Sequence, residues 1–273
     1  RAAGLAEAGT GDFGGHRFRV VHTEPDGVVV IDTGPSRRYG EQMRAAIARS
    51  TGQPVRQVYL THAHPDHFLG SQAFVDVPVA ALAGTRQSIR TLGDALNSNL
   101  YRLVGGWMAG TEAVVPAQVV EDSTVMIGGR SLRLIALNGH TTSDLAVFDE
   151  QSATLFAGDL VFFDRAATTP DADIDQWLHS LERLRAIDFK VLVPGHGPVL
   201  RDAAGIEQTR AYLGWLAGAL RKAARNGMDL NEAMRAPLPP EFAKIAVIKE
   251  EFERSVIHLY PEYELETLAP VSR

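Results

Sequence analysis

An apolar run at residues 55–60 leads directly into the stretch Thr61-His62-Ala63-His64-Pro65-Asp66-His67. Clustering three imidazoles and a carboxylate is unfavourable unless a cation compensates them, and this donor set suits zinc and related divalent ions. Alternate residues such as His62 and His64 can point the same way. Asp66 and His67 lie beyond the proline and can face a second point. The stretch therefore predicts donors for two adjacent metal ions.

Three further candidates lie downstream, each just past an apolar, strand-like run. They are His140 in Asn138-Gly139-His140-Thr141, Asp159 in Phe156-Ala157-Gly158-Asp159, and His196 in Val193-Pro194-Gly195-His196-Gly197. Taken singly, such Gly-containing motifs are most often turns or loops. Their order behind the first stretch makes them ligand candidates. The remaining histidines are expected to be ordinary surface or core residues: His16, His22, His179 and His258.

The composition excludes every kind of site that depends on cysteine. The 273 residues include nine histidines and no cysteine. Disulfides, a cysteine nucleophile, an iron–sulfur cluster and thiolate-bound zinc are therefore excluded. The net charge of −6 argues against nucleic acid, and no apolar run reaches the ~20 residues that span a bilayer. We expect a small-molecule substrate and no nucleic-acid or membrane partner. The sequence leaves open whether the chain forms a homo-oligomer.

Apolar patterning predicts strands alternating with helices in both halves of the chain. Strands are predicted at residues 17–22, 27–32, 55–60, 78–82, 124–127, 131–137, 144–149, 154–157 and 190–193. Helices are predicted around residues 39–47, 89–103, 174–184 and 213–220. Gly128-Gly129 is typical of a tight hairpin turn. Two sheets between helical layers form an α/β protein.

These motifs resemble those of the metallo-β-lactamase-fold hydrolases, from Val28-Val29-Val30-Ile31-Asp32-Thr33-Gly34 to Pro194-Gly195-His196-Gly197-Pro198. The resemblance implies an αββα sandwich, with two mixed β-sheets flanked by helices and a metal site at one edge between the sheets. It implies two zinc ions, with iron or manganese as other candidates. The implied ligands are His62, His64 and His140 for one ion, Asp66, His67 and His196 for the other, and Asp159 between them. Asp32 is expected beside the ligands, supporting them rather than binding metal.

The resemblance also implies hydrolysis. A hydroxide bridging the two ions would attack an ester, thioester, lactone or amide carbonyl, and Asp66 would orient it or carry its proton. Asp159, where some lactamase branches have Cys, is similar to glyoxalase II and lactonases. His64, where the di-iron redox branch has Glu, disfavours that branch. Two alternatives stay open: a mononuclear iron enzyme of the persulfide dioxygenase type, and a non-catalytic metal-binding accessory protein of a quinoprotein dehydrogenase system.

A finer resemblance is to the quinoprotein relay system zinc metallohydrolases. It is carried by stretches such as Phe156-Ala157-Gly158-Asp159-Leu160-Val161-Phe162, Asp164-Arg165-Ala166 and Tyr260-Pro261-Glu262-Tyr263-Glu264. Members often carry an export signal, so with Arg1 at the start a periplasmic location is slightly favoured over a cytoplasmic one. We expect a loosely ordered segment at 1–15, a metallo-β-lactamase-fold domain at 16–204, and a helical extension at 205–273 packed on it. Arg165 is expected to form a structural ion pair.

Overall fold

The structure is a computed structural model that describes residues 19–23 and 27–268. The predicted N-terminal segment 1–15, His16 and the side chain of His22 lie outside the described residues. The first sheet has the order β1 (Arg19–Thr23), β2 (Gly27–Ile31), β3 (Val55–Tyr59), β4 (Val79–Leu82), β5 (Gln118–Val120). The second has the order β10 (Val191–His196), β9 (Thr154–Phe162), β8 (Asp144–Asp149), β7 (Arg130–Leu137), β6 (Ser123–Ile127).

Both sheets are mixed and both are covered by helices. In the first sheet β1 pairs antiparallel with β2 and the other pairs are parallel; in the second only β10 and β9 are parallel. The helices are α1 (Arg37–Thr51), α2 (Pro65–Phe68), α3 (Ala83–Val104), α4 (Ile174–Arg185), α5 (Ala204–Arg225), α6 (Leu230–Met234) and α7 (Ile248–Leu268). This arrangement confirms the predicted αββα sandwich.

Three apolar layers hold the sandwich together, and the side chains of β2 show why. Successive residues of a strand point to opposite faces. Val28 lies in a buried cluster with Met43 of α1, whereas Val29 lies in the cluster between the sheets with Val147 of β8. A third cluster, containing Trp177 of α4, lies between the second sheet and its helices. A sheet covered on both faces requires continuous apolar strands such as β2.

Two predicted strands end several residues too early, and both concern the site; the other predicted strands end within one residue of the observed ends. The strand predicted at 154–157 continues to Phe162, so Asp159 lies within β9 rather than after it. The strand predicted at 190–193 continues to His196, with register shifts around Pro194, which has no N–H to donate to the ladder. The predicted hairpin turn is confirmed. Gly128 and Gly129 have φ values of 53° and 75°, and a two-residue type I′ turn requires a positive φ at both positions.

The C-terminal helices complete the outer layer of the second sheet. Leu213 of α5 and Val256 of α7 are buried in the same cluster as Leu155 of β9. The Tyr260 hydroxyl donates to the carbonyl of Met228, 2.6 Å away, and so joins α7 to the residues before α6. Among the described residues, no helix combines the length and apolarity that crossing a membrane would require.

Candidate metal centre

The residues after β3 form the seam between the two sheets. Leu60 N–H still donates to Ala80 of β4, at 2.9 Å, whereas the Thr61 carbonyl accepts from Leu145 N–H of β8, at 2.8 Å. His62 therefore comes directly after Leu60 and Thr61, whose backbone hydrogen bonds connect the two sheets. Pro65 begins α2, a favourable position for proline, and the first turn of this helix carries Asp66 and His67.

Four predicted ligands form a first group: His62, His64, His140 and Asp159, with one donor atom from each within 4.8 Å of the others. His64 Nδ1 lies 2.9 Å from His140 Nε2, which lies 3.6 Å from Asp159 Oδ2. His62 Nε2 is 3.9 Å from the same oxygen. Tetrahedral ligands of one zinc ion lie about 3.3 Å apart, given zinc–nitrogen distances of about 2.0–2.1 Å. The donors are thus spaced for one small ion.

A second group contains Asp66, His67 and His196, again with donors within 4.8 Å of one another. Asp66 Oδ2 lies 3.3 Å from His196 Nε2 and 3.5 Å from His67 Nε2. The Asp159 carboxylate contacts this group too, with Oδ1 3.1 Å from His67 Nε2 and Oδ2 3.2 Å from His196 Nε2. The structure therefore brings all seven predicted ligands together and places Asp159 between the two groups.

Asp32 sets the protonation of two of these histidines. Its Oδ2 accepts from Thr61 Oγ1 at 2.9 Å and from His67 Nδ1 at 2.8 Å. Because the Thr61 hydroxyl donates to Asp32, its oxygen accepts the proton of His62 Nδ1, 2.9 Å away. Both rings therefore have Nε2 without a proton when they are neutral, and this nitrogen faces the groups described above. Asp32 itself has φ 61°, a left-handed conformation that aspartate tolerates better than most residues.

Packing fixes the two histidines contributed by the second half of the chain. The His140 ring meets Trp177 edge-on with centroids 4.9 Å apart, and the His196 ring stacks on Phe162 at 5.1 Å. A Cβ on Gly195 would lie 1.9 Å from Asp159 Oδ1, so only glycine allows β10 to approach the carboxylate this closely.

The pKa values of the histidines and aspartates in the metal-free site favour the binding of cations. Burial and neighbouring His67 hold the pKa of His62 well below its usual value, and burial, assisted by His64, lowers the pKa of His140 to about 3. Both rings are therefore neutral, as metal ligands must be. Although burial opposes it, His196 and His67 hold the pKa of Asp159 well below its usual range. Although burial also opposes it, Asp159 and Asp66 raise the pKa of His67 well above its usual value.

A divalent ion fits this site on two observations. The buried His62 Nε2 makes no hydrogen bond to any described residue, although a buried polar atom of this kind is normally paired. The raised pKa of His67 favours a proton that balances the carboxylates without metal, and metal binding would displace that proton, as is usual for histidine ligands. The second observation is the chemistry of the donor set. His and carboxylate donors without cysteine fit zinc, and also iron or manganese.

Two polar residues at the site were not predicted. No role was predicted for Thr61. It lies between β3 and His62, and its hydroxyl hydrogen-bonds both Asp32 and the neighbouring His62 ring. Asp171 Oδ2 lies 3.0 Å from His64 Nε2. A ligating histidine usually has such a carboxylate or carbonyl partner, but nothing in the sequence links these two positions.

Arg165 Nη2 lies 3.5 Å from Glu251 Oε1, so the predicted ion pair is confirmed. The exposed His179 and His258 lie on helices outside both donor groups.

The profile of the metallo-beta-lactamase superfamily matches residues 16–196. The chain belongs to this superfamily. The solved metallo-beta-lactamase from Pontibacter korlensis is 29% identical, with a TM-score of 0.58, and the match covers 72% of this chain and 86% of that one. Within the superfamily, the acyl-coenzyme A thioesterase MBLAC2 of Bos taurus is 30% identical over 62% of this chain and 68% of that protein. The hydroxyacylglutathione hydrolase of Erythrobacter litoralis is 26% identical over 60% of this chain and 56% of that protein. Three other curated relatives are matched over about half of their length.

Proposed function

We propose that this superfamily member is a hydrolase that binds two zinc ions and cleaves the carbonyl–sulfur bond of a small thioester. The observation that carries the proposal is the Asp159 carboxylate, which lies within 3.2 Å of His67 and His196 while its Oδ2 also lies 3.6 Å from His140 Nε2 of the first donor group. Esters, lactones and amides are the other substrates of the same chemistry. Thioesters are favoured because the names of two relatives describe hydrolysis of an acyl group carried by a thiol compound.

The seven donors would hold the metal in two sets that share Asp159. The first set would be His62, His64 and His140, and the second Asp66, His67 and His196. When bound, two divalent ions make a water nucleophilic near neutral pH and polarise a scissile carbonyl, which supplies the chemistry that the chain lacks without a cysteine nucleophile.

Asp66 and Asp159 differ in exposure, which suggests different roles. The Asp159 side chain is 3% exposed, whereas the Asp66 side chain is 28% exposed. Asp66 can therefore meet both the attacking water and a leaving group. We assign its carboxylate the task of accepting a proton from the water and returning it to the leaving thiolate.

The test measures metal content and thiol release. Protein purified without added metal is loaded with Zn²⁺ and assayed on an acyl-coenzyme A, an S-acylglutathione, a lactone, an aryl ester and a β-lactam. Released thiol is read with a disulfide reagent, and because the chain contains no cysteine the enzyme adds no signal of its own. We expect two zinc ions per chain and thioester turnover that a chelator abolishes.

Each rival gives a different result in the same experiment. One iron per chain with oxygen uptake on glutathione persulfide would overturn hydrolysis in favour of a dioxygenase. Two bound ions without turnover on any substrate would favour a metal-binding accessory protein.

We also propose that the chain is a quinoprotein relay system zinc metallohydrolase, which rests on stretches such as residues 156–162 and 260–264. Loss of the gene should then impair oxidation of alcohols by a quinoprotein dehydrogenase in the source organism. Unimpaired oxidation would overturn this subgroup assignment and leave the hydrolase proposal intact.

A further inference from the structure

The loop between β9 and α4, residues 163–173, reaches the metal centre through one side chain. Asp171 Oδ2 lies 3.0 Å from His64 Nε2, and Nδ1 of the same ring faces His140. When Nε2–H donates to Asp171, Nδ1 keeps its lone pair and points it at the first donor group. The ring of His64 has an exposed fraction of 16%, so its orientation is less constrained by packing than that of the fully buried His62 and His140.

The loop is held in place by the segment that leads into α7. Ala166 N–H donates to the Ala246 carbonyl at 3.0 Å, and Ala246 N–H donates to the Asp164 carbonyl at 2.9 Å. These two hydrogen bonds form an isolated β-bridge at Arg165, outside either sheet. The first half of the loop is therefore fixed to the C-terminal part of the chain.

Helix α7 holds the second half of the loop through one buried and one partly buried hydrogen bond. Thr169 Oγ1 donates to Ser255 Oγ at 2.7 Å, and Ser255 Oγ donates to the Glu251 carbonyl at 2.6 Å. The Thr168 hydroxyl donates to Glu251 Oε1 at 3.1 Å. Thr169 and Ser255 are both fully buried, so the hydroxyls have no water to replace a lost partner. Helix α7 thereby determines where Thr169, two residues before Asp171, can lie.

We propose that α7 positions the metal ligand His64 by holding the β9–α4 loop, with Asp171 as the positioning residue that contacts the ring. The inference rests on the proposed function, because it takes His64 as a metal ligand. It assigns a role to a helix that lies beyond the residues matched by the superfamily profile, which end at His196. The C-terminal extension would thus support the metal site without contributing a donor.

The experiment compares zinc affinity and the Co²⁺ absorption spectrum of full-length variants. Asp171→Ala should weaken zinc binding at the first donor group by about 10-fold, the lower end of the usual effect of removing a partner of a ligating histidine, because the Asp171 side chain is 67% exposed and water can partly replace it. Asp171→Asn retains an oxygen acceptor and should recover part of the loss. Thr169→Val keeps the shape of the side chain but removes the hydroxyl, and should weaken the same site to a smaller extent. His258→Ala, at an exposed position of α7, is the matched control and should change neither readout.

The double variant tests the route from helix to ligand. If α7 acts through Asp171, Thr169→Val adds no further loss of affinity to Asp171→Ala. Additive losses would overturn that route. A wild-type protein that binds two ions while Asp171→Ala keeps both its affinity and its Co²⁺ spectrum would overturn this inference alone. A wild-type protein that binds no metal would overturn the proposed function and this inference together.

Discussion

Replacing Asp32 with asparagine tests whether this residue sets the protonation of the ligands. The carboxylate accepts from Thr61 N–H at 2.7 Å, from the Thr61 hydroxyl at 2.9 Å and from His67 Nδ1 at 2.8 Å. Asparagine has almost the same shape but only one oxygen, so its amide N–H groups must face at least one of these donors. Losing one hydrogen bond to a buried charged acceptor and weakening the others should lower the free energy of unfolding by about 3 kcal/mol.

The effect on metal binding follows from the same geometry. If the amide faces His67, its Nδ1 must become an acceptor and the proton moves to Nε2, the atom directed at Asp66 and Asp159. Zinc affinity should then fall by about 10- to 100-fold, as for other changes beside metal ligands. Thr61→Val, which removes only the hydroxyl between Asp32 and His62, should weaken the first donor group and spare the second.

Two measurements separate stability from metal binding. Urea unfolding of the metal-free protein gives the free energy of unfolding, and competition with a chromophoric zinc chelator gives the zinc affinity. Asp188→Asn makes the same chemical change at an exposed position and should alter stability by less than about 0.5 kcal/mol. If Asp32→Asn lowers stability as expected but leaves both zinc affinities unchanged, the proposed control of histidine protonation is wrong.

Three further predictions use other parts of the site. If the chain binds two ions as proposed, Asp159→Ala should lose one of them and most activity, whereas His179→Ala should retain both; equal metal content measured by mass spectrometry would refute the proposed bridging role. Gly195→Ala should disrupt the site because its Cβ would lie 1.9 Å from Asp159 Oδ1, whereas Gly218→Ala, with open space on helix α5, should raise stability in urea unfolding by up to about 1 kcal/mol. Burial raises the pKa of Asp144 from 3.8 to about 7, so the folded state binds a proton that the unfolded state has lost between these pH values. Asp144 should therefore contribute a fall in stability of the metal-free protein as pH rises through this window, by at most about 1.4 kcal/mol per pH unit. His62 and His140, whose pKa values are lowered, contribute with the opposite sign, so the contribution of Asp144 is measured as the difference in slope between the wild type and Asp144→Asn. Equal slopes in the two proteins would contradict the assignment.

The sequence predicted the parts of the site that depend on local spacing. His62, His64, Asp66 and His67 lie within one short stretch. The positions of His140 and His196 just past apolar runs made them ligand candidates, and the family resemblance implied that they meet the first stretch at one edge between the sheets. The strand ends around Asp159 and His196 were misplaced, because glycine and proline, which usually end strands, here occupy buried positions where the backbones of β9 and β10 approach closely.

The contacts that support the ligands depend on tertiary structure and escaped prediction. Asp171 reaches His64 only because a loop is fixed by a helix that begins 77 residues later, at Ile248. Thr61 acts between Asp32 and His62 only when β2 and β3 lie side by side. Neither relation leaves a periodic or spaced pattern in the sequence, since side-chain hydrogen bonds between distant residues impose no such pattern.

Each donor group draws on both halves of the sandwich. The first combines His62 and His64, which follow the first sheet, with His140 and Asp159 from the second; the other combines Asp66 and His67 with His196. An ion in either group would therefore act as a cross-link between the two sheets, and Thr61 joins them by backbone at the same place. Neither half of the gene, expressed alone, would encode a complete donor group. Metal occupancy would then report whether the two halves have docked, and loading with zinc should protect amides of the intersheet layer from hydrogen exchange.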